Sequence, residues 1–131
     1  AEDRALIEQL LEPLGTVEAL SAERLMDVVT AVSGSGPAYV FLLAEVLAAA
    51  AEQEGLDKET AMRLASQTVA GAGALMLETG ETPGALRKQV TSPGGTTEAA
   101  LDVLTSADGL APLLRRAVSA AAQRSRDLGK R

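Results

Sequence analysis

The chain contains no cysteine, no histidine and no tryptophan among its 131 residues. Without cysteine there is no disulfide framework and no thiolate nucleophile, and without histidine the usual ligand of transition metals is missing. These absences argue against zinc or iron–sulfur centres and against Ser-His or Cys-His catalysis. We therefore expect no metal site in this chain.

Aromatic residues are scarce as well, at 2% of the chain, although 47% of it is hydrophobic. The apolar bulk therefore comes from alanine, leucine and valine. Because small alanine side chains let helices approach closely, this composition favours packed helices over a sheet core. The length suits one domain with its own core. We expect an all-α fold.

Positive charge is also in short supply, with 12 Lys and Arg against 18 Asp and Glu and a net charge of −6. An acidic surface repels phosphate backbones and anionic membranes, so we expect neither nucleic acid nor membrane as a partner. No signal peptide is recognisable at the acidic N-terminus, and the longest uncharged apolar run, residues 37–44, is too short for a membrane span. These features predict a cytoplasmic protein.

Hydrophobic periodicity predicts a bundle of about six helices, preceded by a short N-terminal helix and strand. Leu6, Leu10 and Leu14 recur at four-residue spacing and indicate a first helix over residues 2–14. A short strand is expected at residues 16–20, and it would need a partner outside this chain. The remaining helices are predicted over residues 21–32, 37–54, 57–78, 82–90 and 98–104, with a last helix from residue 110 onward.

The helix predicted over residues 37–54 is apolar nearly all round, with Glu45 as the one charge before Glu52. A helix without a polar face has to be buried on every side. Since a chain of this size has few places to bury one, we expect it to lie between two subunits. Gly71 and Gly73 interrupt the following helix, where each costs about 1 kcal/mol against alanine. We interpret them as a notch for a close backbone.

Two glycine clusters raise the question of a ligand. Gly34 and Gly36 precede a helix, as in a dinucleotide-binding fingerprint, but the third glycine is missing and position 39 is tyrosine. A helix break followed by Pro37 is the better interpretation. In the second cluster, residues 92–97, two glycines precede a predicted helix start. Its unpaired N–H groups would bind a small anion, and an ordinary capping loop with Ser92 or Thr96 as the cap explains the pattern equally well.

Three ordered blocks of the sequence resemble the C-terminal domain of pyrroline-5-carboxylate reductases. They are Ser33-Gly-Ser-Gly-Pro-Ala-Tyr39, then Gly55-Leu56 with residues 61–71, and finally Leu86 with Val90-Thr-Ser-Pro-Gly-Gly-Thr-Thr97. Residues 10–27 resemble the family's link between its Rossmann domain and its helical domain. By this resemblance, residues 1–20 are a linker and helix-strand remnant of a nucleotide-binding domain. Residues 21–131 are then a helical dimerisation and substrate-binding domain, interlocked with its twin.

The resemblance implies the reduction of 1-pyrroline-5-carboxylate to L-proline by NADPH or NADH, in a homodimer or a higher oligomer. NADP or NAD would lie on a Rossmann domain, so no cofactor-binding residue is assigned in this chain, and the chain alone is expected to be inactive. The implied substrate-binding residues are Val90, Ser92, Gly94, Gly95, Thr96 and Thr97. In this arrangement the N–H groups of Gly95, Thr96 and Thr97 bind the substrate carboxylate.

Val90 and Ser92 would line the pocket, and the catalytic residue would be Thr97, whose hydroxyl orients the ring nitrogen. The alternative is a helical dimerisation module derived from the same family but without its chemistry. The intact Gly-Gly-Thr-Thr sequence at residues 94–97 favours the reductase.

Overall fold

The computed structural model describes residues 2–130, and every regular element in that range is helical. The α-helices are α1 Glu2–Leu11, α2 Met26–Val29, α3 Gly36–Gln53, α4 Lys58–Thr79, α5 Pro83–Gln89, α6 Thr96–Leu104 and α7 Leu110–Gly129. The four-residue α2 continues into α3 through a π-helix, Thr30–Gly34, so six helical bodies result. The predicted all-α fold is confirmed.

The strand expected at residues 16–20 is absent. These residues lack regular structure, and no other segment within residues 2–130 pairs with them. A strand exists only when a neighbouring backbone completes its ladder of hydrogen bonds, and sequence pattern alone cannot supply that neighbour. α1 also ends earlier than predicted, at Leu11, because the turn that contains Pro13 tightens into the 3-10 helix Glu12–Leu14.

The Ser-Gly-Ser-Gly-Pro sequence at residues 33–37 does not break the helix, contrary to expectation. The π-helix Thr30–Gly34 keeps the helix continuous at this sequence. The Ser35 N–H donates to the Thr30 carbonyl, five residues back, at 2.8 Å. Pro37 has no N–H, and its ring crowds the carbonyl one α-turn earlier. The wider π-turn accommodates the proline without ending the helix.

Two side-chain hydrogen bonds secure this helical stretch. The Tyr39 hydroxyl donates to the Ala31 carbonyl at 3.1 Å. The Ser125 hydroxyl donates to the Asp27 carboxylate at 2.7 Å, and this contact joins two positions 98 residues apart in the chain. α7 is therefore attached to α2 by a partly buried polar contact, and it also packs against the π-helix.

The core of the single chain is small. α3 and α4 pack against each other through Ala48, Ala61 and Ala65, with Ala51 at the edge of the contact. The buried hydrophobic residues of the described chain are Ala31, Ala48, Ala61, Ala65, Leu86 and Ala122. Thirty larger apolar side chains are at least 37% exposed. Alanine contacts alone bury little apolar surface, so most of the hydrophobic side chains lie outside this core.

The exposed surface is too large for a compact monomer. The accessible area is 10404 Å², whereas a folded monomer of 13.4 kDa exposes about 6,500 Å². The excess is at least as large as the area that one subunit buries in a large obligate interface. The chain therefore carries a surface that a further protein body would have to cover.

The stretch Glu23–Gln53, 31 residues long, satisfies the length and composition test for a membrane span, because an 18-residue window within it has a mean hydropathy of 1.4. One helix of this kind is weak support for a membrane protein. A helix buried between subunits passes the same test, because both environments require apolar side chains on all faces.

Candidate functional site

The glycine-rich loop between α5 and α6 begins with a tight turn over Ser92, Pro93, Gly94 and Gly95. The Gly95 N–H donates to the Ser92 carbonyl at 3.0 Å and closes the turn. Proline stands at the second position, and Gly94 at the third has a φ of +69°. These are the features of a type II turn, which requires a residue with positive φ at its third position.

The two glycines are needed for different reasons. Gly94 supplies the left-handed backbone conformation that the turn demands. Gly95 supplies space, because a Cβ added there would lie 2.6 Å from Ser92 Oγ and 3.0 Å from the Ser92 carbonyl oxygen. A side chain at either position would therefore change the path by which the loop enters α6.

α6 starts at Thr96, two residues earlier than predicted. Gly95 is its N-cap, with φ −85° and ψ 170°, and no side chain caps the helix. The interpretation of the loop as an ordinary cap formed by Ser92 or Thr96 is therefore wrong. The first helical bond runs from the Ala99 N–H to the Gly95 carbonyl at 3.2 Å.

This helix start leaves backbone donors without acceptors. Throughout residues 2–130, nothing accepts a hydrogen bond from the N–H groups of Thr96 and Thr97. The Gly95 N–H differs from the expectation, because the turn already uses it. The N–H group of Glu98 likewise has no acceptor within residues 2–130. Adjacent free N–H groups at the positive end of a helix attract a small anion.

The other predicted site residues belong to the same segment, residues 90–97. Val90 follows the last turn of α5 and is 63% exposed. Ser92, Gly94 and Thr96 are exposed, and Thr97 is half-buried. The loop thus offers two donors, a threonine hydroxyl and an apolar side chain on an open surface, and it contains no basic residue.

Sequence reasoning missed one residue of this loop, Glu98. Its Oε2 accepts a hydrogen bond from the Gly94 N–H at 2.6 Å. Glutamate three residues after the N-cap is the position from which a side chain reaches back over a helix start. That spacing is visible in the sequence and is the signal by which Glu98 could have been found.

The residues of the first glycine cluster do not fit a dinucleotide phosphate. Gly34 ends the π-helix and Gly36 begins α3, so neither lies in the turn between a strand and a helix. Phosphate binding of that kind uses free N–H groups in a strand–turn–helix unit. The backbone geometry at residues 33–37 instead allows the helix to continue past Pro37.

A helical chain that leaves most of its larger apolar side chains uncovered has the character of an oligomerisation domain. Residues 23–128 match the family model described as pyrroline-5-carboxylate reductase dimerisation. The chain belongs to this family.

Curated relatives agree with this assignment. The chain is 48% identical over 122 residues to pyrroline-5-carboxylate reductase of Pseudomonas aeruginosa, covering 93% of this chain and 44% of that protein. It is 46% identical over 129 residues to the Arabidopsis thaliana reductase, covering 98% and 46% respectively. The chain spans slightly less than half the length of these curated relatives.

Solved structures show the same fold. A pyrroline-5-carboxylate reductase from Coxiella burnetii matches with a TM-score of 0.88 at 46% identity, over 97% of this chain and 47% of that one. A Plasmodium falciparum pyrroline carboxylate reductase with NADP bound matches with a TM-score of 0.79 at 30% identity, over 98% and 48%.

Proposed function

We propose that this chain is the dimerisation and substrate-binding part of a pyrroline-5-carboxylate reductase, which converts 1-pyrroline-5-carboxylate to L-proline with NADPH or NADH. The observation that carries the proposal is the pair of free N–H groups at Thr96 and Thr97, next to the Thr97 hydroxyl. A carboxylate and a ring nitrogen are the two polar features of this substrate. The loop offers donors suited to both.

In this proposal the substrate carboxylate accepts hydrogen bonds from the Thr96 and Thr97 N–H groups. Gly95 contributes a bare backbone that lets the carboxylate approach, since its own N–H is bonded to Ser92. The Thr97 hydroxyl orients the ring nitrogen, and Val90 and Ser92 line the pocket. A threonine hydroxyl is a poor acid, so the imine proton comes from solvent or is already present on the substrate.

The cofactor, NADP or NAD, belongs on a nucleotide-binding domain outside this chain. We assign no cofactor-binding residue here, and we expect no reductase activity and no NADPH affinity from this chain alone. The proposed division places residues 1–20 as the linker to that domain and residues 21–131 as the helical domain. Support comes from the loss of regular helix at residues 15–22. A cytoplasmic location is part of the same proposal.

We further propose that two copies form an interlocked homodimer through α3 and α4. The support is the uncovered apolar surface of the single chain, which includes nearly every large side chain of α3. Burial between subunits also accounts for an apolar stretch at Glu23–Gln53 without a membrane. Sedimentation at low micromolar concentration should give twice the 13.4 kDa chain mass. A clean monomer would contradict this part of the proposal.

The substrate site is tested in the complete reductase with Thr97→Val, which keeps the backbone donor and removes the hydroxyl. We expect kcat/KM for pyrroline-5-carboxylate to fall about ten- to two-hundredfold, because one hydrogen bond to the reacting nitrogen is lost. Thr105→Val is the matched control, since the Thr105 hydroxyl bonds the Leu101 carbonyl at the other end of α6. A Thr97→Val enzyme within twofold of wild type would contradict the role proposed for the Thr97 hydroxyl, and a complete protein without reductase activity would favour the non-catalytic dimerisation module.

A further inference from the structure

The carboxylate of Glu98 lies against the turn that leads into its own helix. Its Oε2 is 2.6 Å from the Gly94 nitrogen, and Gly94 is the residue with positive φ. The turn is therefore held by two bonds. One runs from the Gly95 N–H to Ser92 and the other from the Gly94 N–H to Glu98.

The second bond decides which turn forms. Type I and type II turns share the closing bond and differ by a rotation of the central peptide, which here joins Pro93 to Gly94. Proline suits the second position of either type, and glycine accepts either conformation at the third. The N–H of that central peptide belongs to Gly94. A carboxylate that accepts this N–H stabilises the type II form.

We infer that Glu98 is a positioning residue for substrate binding: it locks the Pro93–Gly94 peptide and thereby fixes the approach to the Thr96 and Thr97 N–H groups. This inference rests on the proposed function of the loop. Glu98 acts through the backbone and does not itself contact the substrate.

Because Glu98 is charged, the direction in which KM changes when its side chain is removed tests the inference. Glu98 is a negative group close to a site proposed for a negative ligand, so its charge alone weakens substrate binding. Removing the side chain would tighten binding if charge were its whole contribution. Removing a positioning residue has the opposite effect.

The experiment compares Glu98→Ala, Glu98→Gln and Asp102→Ala in the complete reductase, with KM and kcat measured separately. For Glu98→Ala we expect KM for pyrroline-5-carboxylate to rise about two- to tenfold, the value of one hydrogen bond, with kcat changed less than twofold. Glu98→Gln keeps an acceptor for the Gly94 N–H and loses the repulsion, so its KM should equal or fall below that of wild type.

Asp102→Ala is the control for charge. Asp102 lies one turn further along α6, and its carboxylate has no hydrogen-bond partner in the described part of the chain, so KM should stay within twofold of wild type. An unchanged or lower KM in Glu98→Ala, or a Glu98→Gln enzyme as impaired as Glu98→Ala, would overturn the positioning role. If Thr97→Val still lowers kcat/KM, only this inference fails. If Thr97→Val has no effect, the substrate site proposed at this loop fails with it.

Discussion

α3 and α7 have similar lengths, 18 and 20 residues, but their apolar side chains are covered in different ways. α7 separates an apolar stripe from a charged surface that carries Arg115, Arg116 and Arg124. It packs on the π-helix and is tied to α2 through Ser125. α3 has no comparable polar face, and its Phe41 is 67% exposed.

The difference shows where each helix obtains its stability. α7 has an anchoring contact within its own chain. The buried contacts between α3 and α4 are made by alanines, and the large apolar side chains of α3 are 42–67% exposed. Because burial of large apolar side chains dominates folding energetics, α3 depends on a second body more than α7 does. Changes in α3 should therefore act on association, and changes in α7 on the folding of the chain.

The largest expected effect comes from a charge in α3. Phe41→Glu alters a side chain that is exposed in the single chain but buried in the proposed dimer. We expect association to weaken by more than about a hundredfold, because an unpaired charge would be desolvated at the interface. Sedimentation equilibrium over a concentration series measures this. Leu14→Glu, at a site 84% exposed and outside the α3–α4 pair, is the control and should stay dimeric.

Gly73→Leu in α4 should have the next largest effect. No atom lies within 4 Å of a Cβ added at Gly73, so the isolated chain tolerates leucine and the helix itself gains about 1 kcal/mol. If a partner backbone approaches there, overpacking should weaken association about five- to a hundredfold. Gly84→Leu makes the same change at an equally open helical position in α5. Equal dimer affinity in both variants would refute the notch.

Ser125→Ala tests the α7 side of the comparison. It leaves the Asp27 carboxylate without its hydroxyl donor, and we expect a loss of about 0.5–1.5 kcal/mol in unfolding free energy. The loss should be the same at every protein concentration, because the contact lies within one chain. Urea unfolding at several concentrations measures it. Ser119→Ala, at an exposed position of the same helix, should have little effect.

The smallest effect concerns the start of α4. The Thr60 N–H donates to Asp57 Oδ1 at 3.0 Å. This hydrogen bond is the main cause, and the Thr60 hydroxyl the second, of a pKa of Asp57 below the usual 3.8. A carboxyl whose pKa is lower in the folded state stabilises it above the unfolded pKa, and the contribution is lost as the pH falls through the folded value.

Asp57→Ala should therefore lower the thermal midpoint at pH 7, and the gap to wild type should narrow as the pH falls below about 4. Asp57→Asn retains an N-cap acceptor and should show a smaller gap at pH 7. A gap that is the same at pH 7 and pH 3 would show that the ionised carboxylate does not stabilise the helix start.

The glycine-rich loop shows how much of a candidate binding site the residue types alone can predict. Two glycines before a helix predict free donors, and within residues 2–130 the Thr96 and Thr97 N–H groups have no acceptor. The bond from the Gly95 N–H to Ser92 was not foreseen, because it depends on the turn type that Gly94 adopts. The contact of Glu98 with Gly94 was missed for the same reason, although its spacing was visible.

Composition and periodicity by themselves determined the helical class, the absence of histidine and cysteine chemistry, and the presence of a helix that its own chain cannot cover. These follow from residue type and local spacing. The tertiary structure decided three further points: that residues 16–20 pair with no neighbour within residues 2–130, that a π-helix before Pro37 keeps the helix continuous, and which loop N–H groups within residues 2–130 stay free. Each of these depends on where hydrogen-bond partners lie in space, and a one-dimensional pattern does not contain those positions.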